Sequence, residues 1–226
     1  MKQVVLSWSG GKDSALALHA LNQDPAVVVV GLLTTITTEY DRVSIHGVRR
    51  SLLHGQAAAL GLPLFESRLK PASSNEEYEA AFNASLAEIR RAQPEVAHIA
   101  FGDLFLEDVR AYRERLLAGS GWTPLFPIWG QDTRALAKQF IDDGFAARLV
   151  CVDTTQLDAE FAGRPFDARF LADLPQSVDP CGERGEFHTF VSDGPLFTDA
   201  VGYECGERVL RDGRFMYCDL LDRVTP

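Results

Sequence analysis

Ser7-Trp8-Ser9-Gly10-Gly11-Lys12-Asp13-Ser14 is the stretch whose reading decides the fold. It follows a short apolar run, Val4 to Leu6, and opens a helical pattern from about Asp13 to Leu21. In a parallel α/β sheet a strand-to-helix turn faces the crevice where ligands bind. Each residue in it has a physical job. Gly10 and Gly11 let the backbone approach without a Cβ clash. The first amides of the helix point outward unpaired, and the helix dipole favours negative charge there. Lys12 brings a full positive charge, Ser9 and Ser14 bring hydroxyls, and Asp13 can cap the helix or help hold a metal ion. The loop is not a Walker A motif: with Gly11-Lys12 as its GK, the first glycine falls on Leu6 and the Ser/Thr place on Asp13. The dinucleotide pattern GxGxxG is absent as well. The alternative is a Gly-Ser turn with a solvated lysine.

Working outward, strand and helix patterns alternate. Val27 to Leu33 is a continuous β-branched and Leu run, as expected of a central strand covered on both faces. Val48 to Leu60 reads as a helix stopped by Gly61, and Leu62 to Glu66 as a strand. Ser74 to Glu77 forms a capping box that opens a helix to about Ala92. His98 to Phe101 is a strand ending at Gly102-Asp103, Glu107 to Leu117 a helix, and Thr123 to Phe126 a strand. A helix capped by Asp132 or Thr133 and ending at Gly144 precedes a further strand, Arg148 to Val152. This alternation predicts a Rossmann-like α/β domain over residues 1–150, a parallel sheet with flanking helices. Beyond it Pro165, Pro175, Pro180 and Pro195 punctuate a loop-rich stretch. Strands are expected at Phe187 to Val191 and Val201 to Glu204, and a hairpin about Asp212-Gly213. Residues 151–226 therefore read as a smaller β-rich lobe.

Composition sets the outer limits. The 226 residues are 46% hydrophobic and 24% charged, an ordinary globular balance. The longest apolar run, Ala26 to Leu33, is far short of the roughly 20 residues of a membrane helix. No signal peptide is read at the start, and the expected location is the cytoplasm. The net charge of −10 disfavours nucleic acid and anionic membranes as partners. Cys151, Cys181, Cys205 and Cys218 form no CxxC pair, which argues against zinc or iron–sulfur sites and for reduced thiols. Arginine outnumbers lysine 18 to 4, which hints at a GC-rich genome.

Ser9-Gly10-Gly11-Lys12-Asp13-Ser14 resembles the PP-loop of the ATP pyrophosphatase superfamily, in which the loop grips the pyrophosphate end of ATP and an acceptor attacks the α-phosphorus. Cys181 to Val191, followed by Asp193-Gly194-Pro195-Leu196-Phe197, resembles the C-terminal signature of the diphthine–ammonia ligase family. Gly102-Asp103 and Pro127-Ile128-Trp129 agree with it, so the resemblance spans about residues 1–200. Arg184 and His188 depart from it, standing where the family usually carries Gly and Glu. The chain is similar to a bacterial-type member, for which the acceptor can differ from diphthine. The resemblance implies ATP and Mg²⁺ as cofactors. It also implies contacts to the nucleotide from Ser9 to Ser14, from Gly102 and from backbone near Leu33.

Glu183 and Glu186 lie on a glycine loop between Gly182 and Phe187. Two carboxylates so spaced can bind ammonium, orient a nucleophile or hold Mg²⁺, and the alternative is a solvated turn. They join Lys12 and Asp13 as candidate catalytic residues. Asp103, at the end of a strand, is a candidate Mg²⁺ ligand or a helix cap. His46 with Arg49, and His188, are weighed as cleft residues, and Cys181 as the one cysteine worth testing for reactivity. The expected activity is that of an AMP-forming, carbon–nitrogen ligase. An acceptor oxygen attacks the α-phosphorus of ATP, and ammonia or another amine then displaces AMP. A tRNA-modifying PP-loop enzyme and a non-catalytic nucleotide sensor are the alternatives. No membrane partner is expected, and a homodimer is possible on this reading.

Overall fold

The computed structural model describes residues 1–223. The first sheet is built from β1 (Lys2–Ser7), β2 (Val27–Thr37), β3 (Arg42–Val43), β4 (Leu64–Leu69), β5 (His98–Ala100) and β6 (Thr123–Leu125). β1 lies between β2 and β5, both parallel to it, and β6 adds in parallel to β5. β2 carries β4 in parallel on its other edge, so Leu32 pairs with Leu6 on one side and Leu64 on the other. The parallel strands thus run β4-β2-β1-β5-β6, the order of a doubly wound sheet, with its switch point between β1 and β5. The two-residue β3 pairs antiparallel with the end of β2.

Alternation along the strands sends side chains to two cores. Val5, Leu33, Ile99 and Phe101 face Phe82, Leu86 and Ile89 of α3 (Asn75–Ala92) and Leu117 of α4 (Glu107–Leu117). Val4, Leu6, Leu32 and Ala100 face Leu16, Leu18 and Leu21 of α1 (Lys12–Gln23) and Leu52 and Leu53 of α2 (Arg50–Ala59). The capping box of α3 is present, with Ser74 accepting from the Glu77 amide and the Glu77 side chain accepting from the Ser74 amide. Among the described residues, no helix is long and apolar enough to cross a membrane.

The second sheet is antiparallel, in the order β8-β7-β10-β9, from β7 (Ala146–Asp153), β8 (Phe187–Asp193), β9 (Tyr203–Arg211) and β10 (Phe215–Asp222). The Arg148 to Val152 run therefore does not continue the parallel alternation. It pairs antiparallel with β8 and β10. Leu149, Val150, Cys151 and Val152 are all buried, and such a run reads alike in either kind of sheet. α5 (Thr133–Asp142), capped by Asp132, leads into β7. The proline-rich stretch hides one short helix, α6 (Ala168–Asp173), capped by Asp167. The hairpin turns where expected, with both Asp212 (φ 51°) and Gly213 (φ 61°) left-handed. Phe187, Phe190 and Val191 of β8 join the same core as α1 and α2, so the two sheets share one apolar interior.

Candidate active site

β1 ends at Ser7 and α1 begins at Lys12, so the glycine loop lies at the switch point of the first sheet. A cleft of about 260 Å³ opens there. Its walls come from the loop (Ser9, Lys12, Asp13, Ser14), from the segment after β5 (Phe101, Gly102, Asp103) and from the second sheet's approach (Glu183, Phe187, His188, Thr189). A larger hollow of about 660 Å³ lies between α5 and residues 171–180 and includes none of the loop. The smaller cleft is where charged and polar groups converge, which marks it as the candidate site.

The loop is held by its neighbours. Gly10 sits at φ +79°, and a Cβ there would come within 2.8 Å of Gln56 Oε1. Gln56, wholly buried on α2, accepts from Trp8 Nε1 (2.8 Å) and donates to the carbonyls of Gly10 (3.0 Å) and Val191 (2.6 Å). The Val191 amide in turn donates to the Gly10 carbonyl (2.8 Å). Gly11 stands at the N-cap of α1 and offers no capping side chain. Ser14 Oγ donates to the Gly11 carbonyl (2.8 Å), and the Lys12 amide donates to Thr189 Oγ1 (3.0 Å). Gly102 presses on the first turn of α1, where a Cβ would lie 2.9 Å from the Asp13 carbonyl. One loop is therefore wedged between α2, β8 and the end of β5, with the start of α1 at the cleft.

Lys12 is 1% exposed, and its Nζ lies 2.6 Å from Asp13 Oδ1. Burial works against its charge, but the Asp13 carboxylate outweighs this and holds the ammonium pKa above the ordinary value. Glu183 Oε1 accepts from the amides of Leu104 (2.8 Å) and Phe105 (3.4 Å), tying the C-terminal glycine loop to the end of β5. Burial pushes the Glu183 carboxyl up to about 7. The His46 and His188 rings stand 4.5 Å apart in the cleft wall. His46 Nδ1 donates to the Thr189 carbonyl (3.3 Å), which fixes its tautomer. Burial lowers His46 to about 4 and His188 well below its usual value, so both rings are neutral at pH 7.

The structure thus brings Ser9, Lys12, Asp13, Ser14, Gly102, Asp103 and Glu183 together around one cleft, with Gly10 and Gly11 behind them. Leu33 and Glu186 do not line it. Leu33 faces the α3 core, and its carbonyl accepts from the Trp8 amide. Glu186 is buried inside its own loop, accepting from the amides of Asp179 and Arg184. Asp103 does not cap α4, whose N-cap is Leu106. It faces Arg113 at 3.6 Å. Arg49 is turned away from the site and, with Arg42, grips Asp219 on β10. Cys181 donates to the Thr133 carbonyl, and burial pushes its thiol up to about 12, which makes it unreactive. Gln56, Thr189 and Arg113 escaped the sequence reading. Thr189 lay within the quoted C-terminal signature, while Gln56 and Arg113 carry no local signal.

A glycine–lysine loop at the switch point of a β4-β2-β1-β5-β6 sheet, closed over by a second sheet, defines a nucleotide-binding protein of the PP-loop class. Comparison with known sequences narrows this. The sequence model of the diphthamide synthase N-terminal domain matches residues 1–124, and that of the diphthamide synthase C-terminal domain matches residues 132–218. The chain belongs to the diphthamide synthase family. The two matches meet between β6 and α5, so the second covers all of α5 and β7 to β9. The chain is similar to the diphthine–ammonia ligase of Bos taurus, 25% identical over 96% of this chain and 92% of the relative. The Homo sapiens protein of the same name is 25% identical with the same coverage, and that of Danio rerio is 25% identical over 89% of this chain and 86% of the relative.

Proposed function

We propose that this protein is an ATP-dependent ligase that cleaves ATP to AMP and pyrophosphate and forms a carbon–nitrogen bond, as the names of its relatives suggest. The observation that carries the reading is the wedged loop with Lys12 beneath it at the switch point. The loop amides and Lys12 bind the outer two phosphoryl groups and stabilise the charge that develops on pyrophosphate as it leaves. An acceptor oxygen, such as that of a carboxylate, attacks the α-phosphorus, and the bond from α-phosphorus to the bridging oxygen breaks. Ammonia or an amine then attacks the activated carbon, the carbon–oxygen bond to AMP breaks, and one proton is released. On this reading Glu183, whose carboxyl burial raises to about 7, takes that proton.

The side chains fit a divalent cation. Asp103 Oδ2 is buried on the cleft wall with no hydrogen-bond partner among the described residues, and the cleft also carries the Asp13 carboxylate. Mg²⁺ binds typically through one or two carboxylates plus phosphate oxygens, so Asp13 and Asp103 are the residues that would hold it. When bound it would screen phosphate charge in a cleft that already holds three carboxylates. Among the described residues, no three His, Cys, Asp or Glu side chains form a metal cluster by themselves, and the fit is to an ion shared with nucleotide.

An adenylate trap tests the proposal. The protein, ATP, Mg²⁺ and a cell metabolite pool are incubated with hydroxylamine, and hydroxamates are read by mass spectrometry. A hydroxamate that depends on ATP and on Lys12 is expected. A hydroxamate formed together with ADP and phosphate, in place of AMP and pyrophosphate, would contradict the reading.

A further inference from the structure

Besides Lys12, the cleft has a second cation, Arg113 on α4. Its guanidinium lies 4.8 Å over the Phe101 ring and donates from Nη1 to Tyr78 Oη (3.2 Å). These contacts fix the group in place while leaving most of its donors free. Arg113 Nε and Asp103 Oδ2 are both buried and face each other at 3.6 Å, yet among the described residues neither has a hydrogen-bond partner. A separation of that size is too long for a hydrogen bond. The two groups form an ion pair without a hydrogen bond, and a guanidinium held this loosely in a functional cleft keeps donors for a further group.

The chemistry selects what that group is. Guanidinium has donors only, in a planar fork that matches phosphoryl and carboxylate oxygens. Phe101, which carries it, directly follows β5 and forms the second lip of the switch point, while Lys12 belongs to the first. The 260 Å³ cleft is lined by both cations, so an anion that engages both carries charge at more than one point. We propose that Arg113 binds the α-phosphoryl oxygens of the nucleotide, while Lys12 and the glycine loop bind the outer two groups. This rests on the AMP-forming reading and assigns the group next to the bond that breaks. Arg113 neutralises the α-phosphoryl group and so eases attack by an anionic acceptor.

Titration calorimetry on the full chain in magnesium buffer tests it, with AMP, inorganic pyrophosphate and ATP as probes. Arg113→Gln should weaken AMP and ATP tenfold or more and leave pyrophosphate within twofold. Arg113→Lys, which keeps the charge without the fork, should fall between. Lys12→Ala should show the reverse pattern, losing pyrophosphate and sparing AMP. Thermal unfolding of each variant checks that it is folded. Unchanged AMP affinity in Arg113→Gln overturns the proposal alone, as does an equal loss of AMP and pyrophosphate. A wild-type chain that binds neither probe overturns the ligase reading with it.

Discussion

Lys12 and Glu183 show how burial sets chemistry one residue at a time. Burial works against the charge of Lys12, and the Asp13 carboxylate 2.6 Å away offsets it. Glu183 has two amide donors yet titrates near 7, because burial costs its ionised form more than those bonds return. The sign of its effect on stability follows. Its folded pKa is raised above the unfolded value, so its contribution is fully present below about pH 4.5 and is lost as pH rises to about 7. Urea unfolding at pH 5 and pH 8 should therefore show a loss of stability toward pH 8 that is smaller in Glu183→Gln. An identical pH difference in both proteins would remove Glu183 from this role. Lys12, Asp13 and the serines were legible because their roles depend on neighbours in sequence. Gln56 and Arg113 were not, because their partners lie 46 and 135 residues away for Gln56 and 35 for the Tyr78 contact of Arg113.

At the scale of elements, β8 and α2 make the loop what it is. The Gln56 side chain binds Trp8, Gly10 and Val191 at once, and so joins α2, the loop and the second sheet. Gln56→Leu keeps the volume and removes the Gln56 bonds to Trp8 Nε1 and the Val191 carbonyl, while the Gly10 carbonyl keeps the Val191 amide, at a cost of about 3 kcal/mol. Urea unfolding should show that loss, and pyrophosphate affinity should fall with it because the loop amides lose their setting. Unchanged stability and affinity would mean that the loop holds its shape unaided. Strand and helix types were mostly legible from periodicity and caps, as the capping box of α3 and the turn at Asp212-Gly213 show. The partner of a strand was less so. Leu149 to Val152 is buried whichever sheet it enters, and only the pairing with β8 and β10 decides. β3 and α6 went unread because two and six residues are too short to show a period.

In the whole molecule, the second sheet closes a site that the first one opens. Phe187 and Phe190 pack into the core shared with α1, and between them in sequence His188 and Thr189 line the cleft. One strand thus couples folding of the C-terminal part to completion of the site. The Arg42 and Arg49 clamp on Asp219 joins the loop bearing His46 to β10, and these contacts hold Asp219 down to about 2. The Rossmann-like half was legible because parallel strands and crossover helices repeat a local pattern. The way the second sheet sits over the loop was not, since it arises from contacts between residues such as Lys12 and Thr189, 177 positions apart.

The central claim is that the loop holds the two outer phosphoryl groups so that ATP breaks beside the sugar. Incubating the protein with ATP labelled at the α-phosphorus, Mg²⁺, ammonium and a cell metabolite pool, then resolving the labelled nucleotides, tests this most directly. The account predicts labelled AMP, with equimolar pyrophosphate, formed at least tenfold more slowly by Lys12→Ala. Labelled ADP with free phosphate, or AMP formed equally fast by Lys12→Ala, would contradict it.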